Sequence, residues 1–499
     1  MTKKNYIKLL GLLLVVGLLF AAAPVGQAQA ATTTVACTGT GDSALLQAAI
    51  TGATDGDTIS VTGTCVLDSN ITVSKAVTLD GNSKAAKIQV SGTGYRITMT
   101  TAGATLKGFE IEKTDKTGGQ DIIWINASNI TIENNKVHGQ FVIGDSEVSR
   151  AIVISGGNSG LLITGNEFYG LRQPAYISGV TTGIISNNYT HGTKGWVVEQ
   201  GDMTFTDNTW GAGADANVFD IAILDTVSSE YYTDIPAMSA ANNSAFIEDQ
   251  RGGVKLLTPV YVNASAAECT SDCGTARAPY NTIQAGIDRV IPGGTVNVAA
   301  GTYTEQLDIT KDISIIGAGA GHSIVQAPST LPASSEVTSA IVLVHGAGVE
   351  AEITGFTITG PGPSGCGSIR AGLYVYDGAY ANIHHNSIED IRDNALPVSG
   401  CQNGVAISVG RQFWSTTGTA TIANNVIVDY QKGAIVVDNA GSNATITGNT
   451  ITGAGTISIT AQNGIQISRG ATATLSGNTV SGNSFHLDGS QWDWGATGV

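Results

Sequence analysis

Apolar and polar residues alternate in short runs along this chain, and run after run closes on an Asn. The runs read Ile130-Thr-Ile-Glu-Asn-Asn135, Leu162-Ile-Thr-Gly-Asn166, Ile184-Ile-Ser-Asn-Asn188 and Phe205-Thr-Asp-Asn208. They resume as Ile383-His-His-Asn386, Ile422-Ala-Asn-Asn425, Ile446-Thr-Gly-Asn449 and Leu475-Ser-Gly-Asn478. Alternation at period two predicts half-buried strands. Self-similarity at 20 to 40 residues, built from strands, predicts a β-solenoid. A sharp bend between strands needs a residue that tolerates the left-handed region, and Asn does so. Stacked over successive coils, these amides should form a hydrogen-bonded ladder. The Asn residues are therefore assigned to the scaffold.

The solenoid starts twice. Ser43 to Ile50 reads as a short amphipathic helix and is followed by the strand Gly56-Asp-Thr-Ile-Ser-Val61. Tyr280 to Ile287 repeats the pattern before Gly294-Thr-Val-Asn-Val298. Each helix can cap a first coil that would otherwise expose unpaired strand edges. The organisation expected is a signal peptide over 1–30, a first solenoid over 31–224, a cap and linker over 225–279 and a second solenoid over 280–499. In the second copy four strands align on their glycines: Gly372 to Tyr376, Gly404 to Ser408, Gly433 to Val437 and Gly464 to Ser468. Leu373 and Val375 should point inward, with Tyr374 and Tyr376 outward.

Composition narrows the function classes. Lys3, Lys4 and Lys8, the apolar run Ile7 to Phe20 and Ala28-Gln-Ala30 have the form of an export signal. That run is too short for a comfortable membrane span, and no other apolar stretch reaches spanning length. The expected location is outside the cell or on its surface. The formal net charge is −16 and falls further when the three signal lysines are removed, which argues against nucleic acid and anionic lipid as partners. An acidic polysaccharide would need local Arg clusters or bound cations to overcome this field. Six cysteines in an exported chain predict three disulfides. Cys37 with Cys65, Cys269 with Cys273, and Cys366 with Cys401 are paired from their positions around the first cap, in the linker and in successive coil loops. Asp-rich loops offer oxygens of the kind calcium takes, although no Asp-x-Asp-x-Asp loop occurs. No other cofactor is expected.

The strand pattern, the capping helices and Gly301-Thr-Tyr-Thr-Glu305 resemble right-handed parallel β-helix proteins of the pectin-lyase-like superfamily. The resemblance covers roughly 40–224 and 278–485. It implies an all-β fold of two tandem right-handed parallel β-helices, each started by a short helix. Its functional implication is broad, because that superfamily spans lyases, hydrolases, esterases, epimerases and non-catalytic surface proteins. The Asp-Phe-Ile-Phe-Gly and Arg-Pro-Trp segments that accompany Gly-x-Tyr-x-Glu in pectin methylesterases are absent. The Asn-Thr-Asp, Asp-Asp, Gly-His-Gly and Arg-Ile-Lys set of polygalacturonases is absent too. Glu305 is accordingly expected to belong to a generic first coil.

Polysaccharide cleavage needs a base for the proton alpha to a uronate carboxylate, or two carboxylates flanking the glycosidic bond, together with aromatic platforms. The segment 370–393 is richest in such groups. His384, Arg392 and Asp377 are its candidate catalytic residues, and Tyr374, Tyr376, Tyr380 and Arg370 its candidate substrate contacts. A second group gathers Asp145, Glu147, Arg150, Arg172, Tyr176, Lys194 and Glu199. There Arg150 and Arg172, 22 residues apart, could stack on one face and clamp a carboxylate, but structural ion pairing with Glu147 and Glu199 is the favoured reading. Trp492-Asp-Trp494 resembles a capping segment, and the stop at Val499 allows for a product that lacks later coils or an anchor. The sequence favours an exported non-catalytic scaffold that grips glycans, with a lyase or glycoside hydrolase acting from the second solenoid as its rival.

Overall fold

The structure is a computed structural model that describes residues 30–94, 96–116, 121–270, 272–331, 339–363, 365–393, 400–486 and 493–494. The export signal before Ala30 and Trp492 lie outside the described residues. Two stacks of coils account for the chain, and each stack carries three sheets along its length. In the first stack, sheet A runs from Thr32–Ala36 to Asp202–Thr206, sheet B from Thr64–Leu67 to Thr209–Trp210, and sheet C from Ile71–Val73 to Leu256–Thr258. In the second stack, sheet D runs from Val260–Val262 to Thr472–Ser476, sheet E from Gly301–Thr304 to Asp493–Trp494, and sheet F from Leu307–Ile309 to Asn463–Ser468. Strand pairing is parallel except at the last pair of sheet C and of sheet E.

Period-two burial explains the strands. Ile88, Ile111, Val137 and Phe168 follow one another up sheet B and are buried, while Lys87, Glu110, Lys136 and Glu167 beside them face out. The two cores interlock at the junction. Ile291 of the second stack packs into the first core, and Phe246 and Leu257 pack into the second.

The predicted amide ladders are present. Asn166 Oδ1 accepts from the Asn135 backbone N–H at 2.9 Å and from Asn135 Nδ2 at 3.1 Å. Asn166 Nδ2 then donates to Asn188 Oδ1 at 3.0 Å and to the Ile132 carbonyl at 2.9 Å. The chain of amides continues through Asn208 to Asn242, which the repeat had not identified. In the second stack it runs Asn386, Asn425, Asn449, Asn478. The left-handed residue is the one before the ladder Asn, except at Asn242, which follows the helical Ala241. Asn134, Asn187, Asp207, His385 and Asn424 have φ between 54° and 56°, and glycine fills the same place at 165, 448 and 477. The neighbour makes the bend, and the ladder amide satisfies the backbone groups that the bend exposes.

Both capping helices form, as Asp42–Gly52 and Ile283–Arg289. Glu305 caps the second: its two carboxylate oxygens accept from the backbone N–H groups of Ile283 at 2.7 Å and Gln284 at 2.9 Å. Gly301-Thr-Tyr-Thr-Glu305 is thereby explained as scaffold. The stretch 225–279, expected as cap and linker, contributes strands to both stacks. Ile247–Asp249 pairs with Ile221–Ile223, and Val260–Val262 opens the second stack on Gly294–Val298. All three expected disulfides are formed.

The glycine-led alignment of the second copy is corrected. Leu373 stacks on Ile407, Ile435 and Ile465, so Val405 lies level with Gly433 and the four glycines do not superpose. Gly372, Gly433 and Gly464 lie within their strands while Gly404 precedes its own, so it is the inward Leu and Ile positions that set the register. Asn425 sits in mid-ladder: its Oδ1 accepts from the backbone N–H and the Nδ2 of Asn386, and its Nδ2 donates to the Ile383 carbonyl and to Asn449 Oδ1. Asn425→Ala should cost about 3 kcal/mol by leaving buried partners unmet. Denaturant unfolding of Asn425→Ala beside the wild type checks this, and equal stability would remove the ladder from the account.

Candidate functional site

Sheet F carries on its outer side the row Asp308, Leu343, Tyr374, Ser408, Val436 and Gln466. One position further along, His345 is level with Tyr376. Parallel stacking places these side chains one above another at about 4.8 Å, which suits flat rings. Tyr374 and Tyr376 stack at 4.5 Å, and Tyr376 stacks on His345 at 4.7 Å. His345 Nε2 pairs with Asp308 Oδ1 at 2.7 Å.

The two tyrosines point outward as expected, yet they are 1% and 3% exposed. That corrects their expected role as open sugar platforms. The turn 411–416 folds back over them. Backbone bonds between Arg411 and Thr416 close it, and Trp414 meets Tyr374 edge-on at 6.3 Å. Tyr374 donates to or accepts from Thr416 Oγ1 at 2.6 Å, and burial pushes its phenol up to about 12. Burial also raises the Tyr376 phenol, whose buried hydroxyl has no hydrogen-bond partner among the described residues.

Trp414 is the centre of a cationic cleft. The Arg370 guanidinium lies 5.2 Å from the indole centroid and that of Arg411 lies 5.7 Å from it. Among the described residues neither guanidinium has a carboxylate within salt-bridge distance. Among the described residues the Arg370 guanidinium bonds only the Asn403 amide oxygen, at 3.4 Å, and Arg411 Nε is buried without a partner. Gln402, Asn403 and Ser408 line the cleft with them, and Phe413 stands beside Trp414 with 82% of its surface exposed. The Cys366–Cys401 disulfide ties down the loop that supplies Gln402 and Asn403. Cys366, Cys401 and Asp393 also form the one three-donor group among the described residues, but its sulfurs are joined to each other.

Asp438 fastens the turn from the next coil. Buried completely, it accepts from the Gln412 N–H at 3.1 Å, from Ser468 at 2.9 Å and from Arg469 at 3.0 Å. Burial alone would raise this carboxyl, but those bonds outweigh it and hold the group below the usual carboxylate range.

The three candidate catalytic residues occupy different sides of the coil. Asp377 is an exposed left-handed turn residue between sheets F and D. His384 faces out of sheet D, bonded to Glu352 at 3.0 Å, to Thr354 at 3.1 Å and to His385 at 2.9 Å. That pairing holds the Glu352 carboxyl below its usual range. Arg392 follows sheet E and pairs with Asp390. None of the three bonds another. Tyr380 belongs to sheet D and donates to Thr421 at 2.9 Å. Of the candidate substrate contacts, Arg370 and Tyr374 line the Trp414 cleft and Tyr376 stacks behind Tyr374. Arg411 and Trp414 were missed, although Arg411-Gln-Phe-Trp414 is a conspicuous pairing of cation and aromatics in a chain with 6% aromatic residues.

The second group is dispersed. Asp145 pairs with Lys116 at 2.8 Å and Glu147 faces the buried Lys113 at 3.6 Å. Arg150 is level with Gln173 rather than Arg172, because the coil between them is 23 residues, and it lies 4.5 Å over Tyr176.

Residues 333–487 match the family model described as the right handed beta helix region. The chain is a right-handed parallel β-helix protein. This is the fold that its resemblance to the pectin-lyase-like superfamily implied. Among solved structures, the β-helix is similar to an alginate lyase from Paenibacillus sp. str. FPU-7, with 13% identity, 89% of this chain and 99% of that one covered, and a TM-score of 0.28. It is also similar to a mannuronan C-5 epimerase A-module from Azotobacter vinelandii, with 14% identity, 89% and 96% covered, and a TM-score of 0.25. No curated protein matches the chain. Likenesses this distant leave the activity of the β-helix to be argued from its own cleft.

Asp438→Asn should cost about 2 kcal/mol at neutral pH by removing a buried charge that several donors serve. A depressed carboxyl contributes stability above its unfolded value, near pH 4, and loses it as pH falls through the folded value. The melting curves of Asp438→Asn and wild type should therefore separate at pH 7 and converge on acidification below about pH 4. A constant gap would place the charge elsewhere.

Proposed function

We propose that this protein is an exported β-helix that binds an acidic polysaccharide on sheet F of its second stack. One observation carries the reading: two guanidiniums without carboxylate partners flank a single indole in a chain of net charge −16. An acidic protein holds uncompensated cations together at a strand face for an anion to meet. The planar fork of Arg suits the carboxylate of a uronate, and Trp414 with the exposed Phe413 offers apolar faces to sugar rings. Export agrees with three disulfides in one chain.

A second reading, cleavage of the same polymer, is favoured by the group behind the cleft. His345, oriented by Asp308, stacks on Tyr376 and keeps part of its ring exposed. Elimination at a uronate needs a neutralised carboxylate and a group to take the proton alpha to it. Arg370 and Arg411 supply the first, and the part-exposed His345 imidazole can supply the second.

Calorimetric titration with oligogalacturonate and oligoalginate tests the binding. Arg370→Ala and Arg411→Ala should each weaken it about tenfold or more, the value of a charge-assisted bond. Undiminished binding in both variants would overturn the reading. Release of unsaturated uronate ends by the wild type, lost in His345→Gln, would establish cleavage; binding without release would leave the protein a binder.

A further inference from the structure

The waist between the two stacks carries a groove that the proposed function does not use. Three adjoining clefts of about 330, 400 and 720 Å³ open there, and Tyr261 lines all of them. Their sizes fall in the range of ligand sites, which favour interfaces between structural units. The groove is pre-formed. Tyr261 sits on the strand Val260–Val262, its backbone bonded to Gly274 and Tyr280, and the interlocked cores on either side fix the two walls.

Its lining has a definite chemistry. Trp210 and Tyr261 present aromatic rings, and the Trp210 indole is held by its bond to the Asn242 carbonyl at 2.6 Å. The Tyr261 hydroxyl bonds no other group of the protein among the described residues. Asp220 is 8% exposed, and its carboxyl accepts from Asn217 Nδ2 at 2.9 Å and from the Phe246 N–H at 2.8 Å, which leaves each oxygen a further lone pair. Burial pushes that carboxyl up to about 6. Ser244 adds a hydroxyl, and the single cation, Arg277, lies at the rim with one nitrogen engaged by the Ala214 carbonyl. Aromatic faces beside a buried carboxyl acceptor and hydroxyls match the CH faces and vicinal hydroxyls of a sugar. A wall that holds a carboxyl rather than a cation disfavours a uronate.

We propose that this waist groove is a second carbohydrate site, taking a neutral oligosaccharide and independent of the acidic-chain site on sheet F. A chain with both sites would join a neutral to an acidic glycan, or grip one polymer whose neutral and acidic stretches alternate.

Titration of the full mature chain with β-1,4-linked gluco-, manno- and galacto-hexaoses tests the proposal. At least one hexaose should bind, and Tyr261→Ala should weaken it about tenfold through loss of the ring face. Tyr261→Phe, which loses no bond within the protein, should weaken it about threefold through the hydroxyl alone and guards against a misfolded alanine variant. Arg370→Ala should leave hexaose binding unchanged. No heat with any hexaose at millimolar concentration, or equal affinity in wild type and both Tyr261 variants, would overturn the proposal. Neither result would touch the sheet F site.

Discussion

Every coil of this protein must turn sharply between strands, and each turn leaves backbone groups that face the interior with no strand partner. The Asn ladders meet that demand. A buried amide accepts from the coil on one side and donates to the coil on the other, so no ladder position is complete without its neighbours. This fixes the vertical register of the coils more tightly than apolar packing alone, which tolerates sliding among similar Ile, Leu and Val side chains. All other arrangements on the outer surface inherit that register. Neighbours in function are therefore residues one coil apart, as His345 is with Tyr376, rather than residues close in sequence.

The same rule explains which parts of the structure could be read from the chain. The repeat, the ladder asparagines, the capping helices and the disulfides are local signatures of a recurring physical need, so each shows in sequence. The burial of Tyr374 and Tyr376 does not, because it depends on the turn 411–416 folding back across strands that lie more than 30 residues earlier. Arg370 could be named from its neighbours, whereas its partnership with Arg411 and Trp414 needed the exact coil length. Arg150 and Arg172 illustrate the sensitivity: a single residue of difference in coil length set Arg150 beside Gln173 instead. Strands such as Ile247–Asp249 lack the Asn signature and were hidden inside what reads as a linker.

Charge gives the two proposed sites different characters. The surface is acidic overall, and many of its cations are absorbed in ladder pairs such as Lys87 with Glu112 or Lys107 with Asp80. Such exposed pairs contribute little to stability and keep the faces neutral. Against that background the Trp414 cleft is a local reversal of sign, while the waist groove buries a carboxyl and shows one cation at its rim. An acidic chain would be repelled by most of the surface and held at one place, which favours specificity over simple affinity.

The most direct measurement is the ionic-strength dependence of oligogalacturonate binding by the wild-type protein. Two ion pairs at one cleft predict an affinity that falls as salt rises above about 0.1 M, where the wider acidic surface is already screened beyond about 10 Å, and a stoichiometry of one chain per protein. Affinity that stays constant or rises as salt is raised from about 0.1 to about 0.5 M would contradict the assignment of Arg370 and Arg411 to an anionic glycan.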